Sequence, residues 1–121
     1  MGNRRSLRVF VVEDEAFLAM ELCDILEDLG HEVIGPVPSV DRALALLATV
    51  TQLPDVAIID ANLAGETSCP IMDRLRSAEV PVIVASGYGP RELVKMGLAG
   101  GSFVAKPYDE TGIASALERV I

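Results

Sequence analysis

Three carboxylates, one hydroxyl and one ammonium stand where short apolar runs of this chain end. Glu13 and Asp14 follow Leu7–Val12, Asp60 closes the run from Val56, Ser86 follows Val80–Ala85, and Lys106-Pro107 follows Gly101–Ala105. Carboxylates brought together repel, because each disfavours ionisation of the others. A cation must hold them, and hard oxygen donors suit Mg²⁺, which takes one or two carboxylates and keeps several waters. Asp14 and Asp60 are the expected direct ligands, with Glu13 acting through water and the main-chain carbonyl of Asn62 completing the protein side. The open face of such an ion can take a phosphoryl oxygen. Asp60 can then attack phosphorus as a carboxylate nucleophile and form an acyl phosphate. Lys106 would pair with one phosphoryl oxygen and Ser86 would donate a hydrogen bond to another, so that catalysis is positioning and charge stabilisation.

Taken singly, each of these residues has an ordinary role. Acidic residues before a helix favour its dipole, Asp60 and Ser86-Gly87 are turn formers, and a lysine after a strand is commonly a surface residue. The case rests on all five standing at strand ends, in order.

The elements that would position them alternate in type. Leu7–Val12 is β-branched and almost continuously apolar, as a strand buried on both faces is. Leu18, Leu22, Ile25, Leu26 and Leu29 then fall at helical spacing, and Gly30 ends that helix. Val33–Val37 reads as a strand near the sheet edge because of Pro36, and Ser39 caps a helix through Leu44 and Leu47. Further strands are expected over Val56–Asp60, Val80–Ala85 and Gly101–Ala105, with helices around Ile71–Ser77, Pro90–Leu98 and Thr111–Val120. Five strands alternating with five helices mean parallel strands joined by helical crossovers, a three-layer α/β sandwich. Ligands of such sheets bind outside the carboxyl ends of the strands, where the polar residues stand.

Composition agrees. At 121 residues the chain is expected to be one domain over 1–121, with residues 1–6 a flexible extension. Asp+Glu 18 against Lys+Arg 10 gives a net charge of −8, which argues against direct nucleic-acid binding. The apolar run near the start is too short for a membrane span or a signal core. Cys23 and Cys69 form no metal-type pair and are expected as reduced thiols in a cytoplasmic protein. His31, the lone histidine, is expected at the surface.

These motifs resemble the response-regulator receiver family, and the resemblance spans the chain from Val9 to the last helix. It implies a doubly wound (βα)₅ flavodoxin-like fold with strand order 2-1-3-4-5. Glu13-Asp14 is similar to the family's acidic pair, Asp60 to its phosphoacceptor, Ser86 to its hydroxyl, and Lys106-Pro107 to its Lys-Pro with a cis peptide. The donor implied is the phosphohistidine of a histidine kinase or a phosphotransfer protein. The output implied is a changed surface around residues 90–105 that controls a downstream protein partner or a phosphorelay. Phe103 occupies the family's aromatic switch position but has no hydroxyl, and a core role for it is equally open. Asp60–Gly65 and Pro81–Gly89 resemble a single-domain subfamily whose fourth strand ends in Ala-Thr-Gly-Tyr, which implies kinases of the HWE or HisKA2 type. Val82 and Val84 replace phenylalanines of that subfamily, and Ser86 replaces its threonine. Tyr88, two residues past Ser86, would tune water access to the acyl phosphate. The proline usual in the loop after the phosphoacceptor is missing from Leu63-Ala64-Gly65-Glu66, so a more mobile loop is expected there.

Other readings compete. An aspartyl phosphohydrolase would carry a second Asp two residues past its nucleophile, where this chain has Asn62. A flavin or nucleotide binder would need a phosphate-cradling loop in place of Glu13-Asp14-Glu15. A phosphorylation-independent pseudo-receiver, a protein-binding module, would not need all five site residues. A protein that starts at Met1, stands alone and is a monomer more readily than a dimer is expected.

Overall fold

The chain is described here by a computed structural model covering residues 6–63, 65–87, 102–106 and 108–120. The all-apolar runs become the centre of a sheet. β1 (Arg8–Val12) and β3 (Val56–Asp60) pair in parallel, and β3 pairs in parallel with β6 (Val82–Ser86). The edges are β2 (Glu32–Val37), beside β1, and β7 (Ser102–Ala105), beside β6, giving the order β2-β1-β3-β6-β7. This is the expected five-stranded parallel sheet, with its first two strands crossed over and the rest running outward.

Alternation along each strand divides the core in two. Phe10, Val12, Ala57, Ile59 and Val84 face α2 (Val40–Thr49) and α3 (Cys69–Ser77). Val9, Val11, Val56, Ile58 and Ile83 face α1 (Ala16–Asp28) and α4 (Glu110–Val120). Leu22, Leu26 and Ile113 are fully buried on that second face, each side chain contributing about 1.5–3 kcal/mol by leaving water. Cys23 on α1 and Cys69 on α3 stand on opposite faces of the sheet.

Local signals act as the sequence suggests. Ser39 Oγ accepts from the Arg42 N–H at 3.2 Å and starts α2. Gly30, at φ 91°, ends α1: its N–H donates to Glu27 O, and the His31 N–H donates to Leu26 O. Pro36 does sit on an edge strand. The β1–β2 register shifts between Phe10 and Val12, beside Gly35 at φ 100°, where any Cβ would come within 3.0 Å of Val11 O. Beyond that irregularity Val37 O accepts from the Glu13 N–H at 3.0 Å, which fixes the backbone of Glu13.

Two features differ from expectation. The stretch after Asp60 carries a small antiparallel ladder of β4 (Asn62–Leu63) and β5 (Glu66–Thr67), turned by Gly65 at φ 89°. His31 does more than sit at the surface, since its Nδ1 accepts from the Leu7 N–H at 3.1 Å. The helix expected over Pro90–Leu98 and the peptide before Pro107 lie outside the described residues. Among the described residues no helix is long and apolar enough to cross a membrane.

Candidate functional site

Strand register assembles the site. Asp60 pairs with Ala85, and Ser86 with Ala105, so both polar residues reach the carboxyl edge at neighbouring strand ends. The Ala61 N–H donates to Ala85 O at 2.9 Å and the Lys106 N–H to Ser86 O at 3.0 Å, carrying the ladder one step past each strand. These bonds place the Lys106 side chain opposite Asp60.

Lys106 Nζ lies 2.9 Å from Asp60 Oδ2 and 3.0 Å from Glu13 Oε1. Glu13 is 2% exposed and Asp60 6%, so two negative groups are buried against one ammonium. Carboxylate oxygens of Glu13, Asp14 and Asp60 lie within 4.8 Å of one another, with Asp14 on the exposed side. Ser86 is buried beside them at the end of β6. Three carboxylates without sulfur or imidazole form a donor set for a hard divalent cation.

Glu13 and Lys106 are held in their charged forms. Burial works against the Glu13 carboxylate and is the largest influence on it. The side chain of Asp60 and donation from Lys106, Tyr108 and the Glu15 N–H together outweigh burial and bring its pKa below the ordinary value. Lys106 behaves likewise: burial favours the neutral amine, but bonds to Asp60 and Glu13 and their charges raise its pKa.

The structure thus brings together Glu13, Asp14, Asp60, Ser86 and Lys106. Asn62 begins β4 two residues beyond Asp60. Phe103 is half-buried on β7 and packs against the core cluster that includes Val84. Tyr88 and Pro107 lie outside the described residues. Sequence reasoning passed over Tyr108, whose hydroxyl donates to Glu13 Oε1 at 2.8 Å. Its signal was available: a hydroxyl-bearing aromatic two residues past Lys106, at the same strand end.

Comparisons with known proteins agree with this geometry. The phyllosphere-induced regulator PhyR of Methylorubrum extorquens is 29% identical over 115 residues, which are 93% of this chain and 43% of PhyR. The chemotaxis protein CheY of Thermotoga maritima is 26% identical, over 93% of this chain and 96% of CheY. The solution structure of SdrG from Sphingomonas melonis Fr1 superposes with a TM-score of 0.78 at 33% identity, covering 93% of this chain and 94% of SdrG. The chain spans about half the length of the first curated relatives it matches, 43% of PhyR and 56% of the transcriptional regulatory protein PdtaR of Mycobacterium tuberculosis. The sequence profile of the response regulator receiver domain matches residues 9–118. With that match over most of its length, and a sheet that gathers its acids and lysine at one edge, the chain belongs to the response regulator receiver domain family.

Proposed function

We propose that this receiver domain is a Mg²⁺-dependent switch that accepts a phosphoryl group on Asp60. The observation that carries the reading is the placement of Lys106 Nζ between Asp60 and Glu13, within a cluster of three carboxylates. Asp14, Asp60 and the carbonyl of Asn62 would hold Mg²⁺ directly, with Glu13 acting through water, and the ion would supply the positive charge that lets anionic donor and anionic acceptor meet.

A carboxylate oxygen of Asp60 bonds to phosphorus as the P–N bond of a phosphohistidine breaks, and the imidazole leaves with the electron pair. Lys106 moves from its carboxylate partners to a phosphoryl oxygen, and Ser86 donates to another. The donor is a histidine kinase, of HWE or HisKA2 type on the strength of the Pro81–Gly89 stretch, or a phosphotransfer protein. The chain does not turn over substrate; it catalyses only its own phosphorylation and slow self-dephosphorylation. Ser86 and Phe103 carry the change to the surface around β7 and the residues before it, where a protein partner is bound. Tyr88 governs the lifetime of the acyl phosphate, so Tyr88→Ala should change the dephosphorylation rate. The domain works in the cytoplasm, as a monomer.

Incubation with Mg²⁺ and a small acyl phosphate, followed by intact mass, tests the reading. One added phosphoryl group, dependent on Mg²⁺ and absent from Asp60→Asn, is the expected result. An equal adduct on Asp60→Asn would contradict the assignment. No adduct on a protein that binds Mg²⁺ would leave the chain a phosphorylation-independent binding module.

A further inference from the structure

We infer that Tyr108 is a positioning residue for the cation site: its hydroxyl orients the Glu13 carboxylate without neutralising it. The inference deepens the proposed function and rests on its assignment of a cation to Glu13, Asp14 and Asp60.

The donors around Glu13 divide by charge. Oε1 accepts from Lys106 Nζ at 3.0 Å and from the Tyr108 hydroxyl at 2.8 Å, and Oε2 accepts from the Glu15 N–H at 3.2 Å. Lys106 is a charged partner that Glu13 shares with Asp60, and it is needed at an incoming phosphoryl oxygen when the switch is loaded. Its ammonium also cancels charge that a cation would use. A phenol does neither. Tyr108 is 6% exposed and belongs to the apolar cluster between the sheet and α1 and α4, so its hydroxyl is delivered from a packed side chain. A phenol is protonated at neutral pH, and with Glu13 Oε1 at 2.8 Å it acts as a donor to that carboxylate. When Lys106 departs, Tyr108 and the Glu15 N–H still hold Glu13 in place. Groups that orient metal-binding side chains in this way commonly change metal affinity by roughly 10–100-fold when removed.

The test compares Mg²⁺ binding to the wild type and to Tyr108→Phe by titration calorimetry, at a temperature where both are folded. Phenylalanine keeps the ring in the core and deletes only the hydroxyl. The expected result is a Mg²⁺ dissociation constant raised about tenfold, with phosphorylation by a small acyl phosphate half-saturating at correspondingly higher Mg²⁺ and recovering in excess Mg²⁺. An unchanged dissociation constant would overturn the inference, even if the variant melts at lower temperature, because a hydroxyl that only stabilises the fold gives that pattern. The calorimetric comparison decides the role of Tyr108 whether or not the wild type takes phosphate. Should Tyr108→Phe not fold, the tyrosine absorbance of a Tyr88→Phe protein is read instead. The chain has two tyrosines and no tryptophan, so the signal belongs to Tyr108. A spectral shift on Mg²⁺ saturation supports the inference, and a spectrum indifferent to Mg²⁺ overturns it.

Discussion

The two ends of the sheet use the same kinds of side chain for opposite purposes. At the amino edge, polar groups are matched to backbone. Asp55 Oδ2 accepts from the Arg8 N–H at 2.8 Å, the Arg8 guanidinium donates to Gln52 O at 3.0 Å, and His31 accepts from the Leu7 N–H. Each of these bonds ties a strand start to a neighbouring loop or strand. At the carboxyl edge, Glu13, Asp60 and Lys106 bind one another, and Asp14 adds a further negative charge nearby. Buried ion pairs are poor sources of net stability, because desolvation offsets most of the attraction. The amino-edge bonds therefore satisfy strand starts, while the carboxyl edge carries a surplus of negative charge that stability alone does not require.

The contrast can be broken from either side. The largest effect is expected at Lys106. Lys106→Met strands two buried carboxylates, at a cost of about 3–5 kcal/mol in metal-free buffer. Urea unfolding measures it, and Mg²⁺ should return part of the loss, since a ligand of the native state stabilises it. A loss below that of an amino-edge substitution would show that the two ends do not differ. Asp55→Ala, at the amino edge, leaves the Arg8 N–H without this partner and should cost roughly 1–2 kcal/mol. Its Mg²⁺ affinity and phosphoryl uptake should be unaltered, and a shift in either would join the two ends.

Titration sharpens the same comparison. The folded Glu13 pKa is depressed, so its contribution is fully present above the unfolded value near 4.5 and is lost as pH falls through the folded one. The folded Lys106 pKa is raised, so its contribution is present below 10.5 and disappears as pH rises through the higher folded value. Metal-free stability should therefore hold between these limits and fall outside them. Glu13→Gln should flatten the acid limb, and an unchanged limb would remove Glu13 from the account. The smallest effect is expected from Asp14→Asn, which relieves repulsion at an exposed position. It should change metal-free stability by no more than about 0.5 kcal/mol while weakening Mg²⁺ binding, and unfolding and calorimetry read the two separately.

How much of this was legible in the sequence follows from the range of the forces involved. β1 and β3 were readable because a strand buried on both faces must be apolar until it leaves the sheet, and Glu13 and Asp60 mark where each does. Pro36 announced an edge because it cannot donate to a ladder, and Gly30 and Ser39 announced helix ends through local bonds. The gathering of acids with Lys106 followed from the rule that parallel strands end on one side. The Tyr108–Glu13 bond was hidden because it joins residues 95 positions apart, and its geometry depends on how the chain leaves β7 relative to β1. His31 was hidden for a similar reason: a ring nitrogen accepting from Leu7 depends on the β1–β2 register. The β4–β5 ladder escaped notice because its paired segments are two residues each and have no hydrophobic alternation to read.

The most direct test of the account is to locate the phosphoryl group. Borohydride reduces an acyl phosphate to an alcohol and releases phosphate, so a phosphorylated aspartate is left as homoserine. After phosphorylation in Mg²⁺ and reduction, peptide mapping should find homoserine at position 60 and intact carboxylates at Glu13 and Asp14. Reduction at Glu13 or Asp14 with Asp60 intact would contradict the claim that Lys106 and the sheet register single out Asp60.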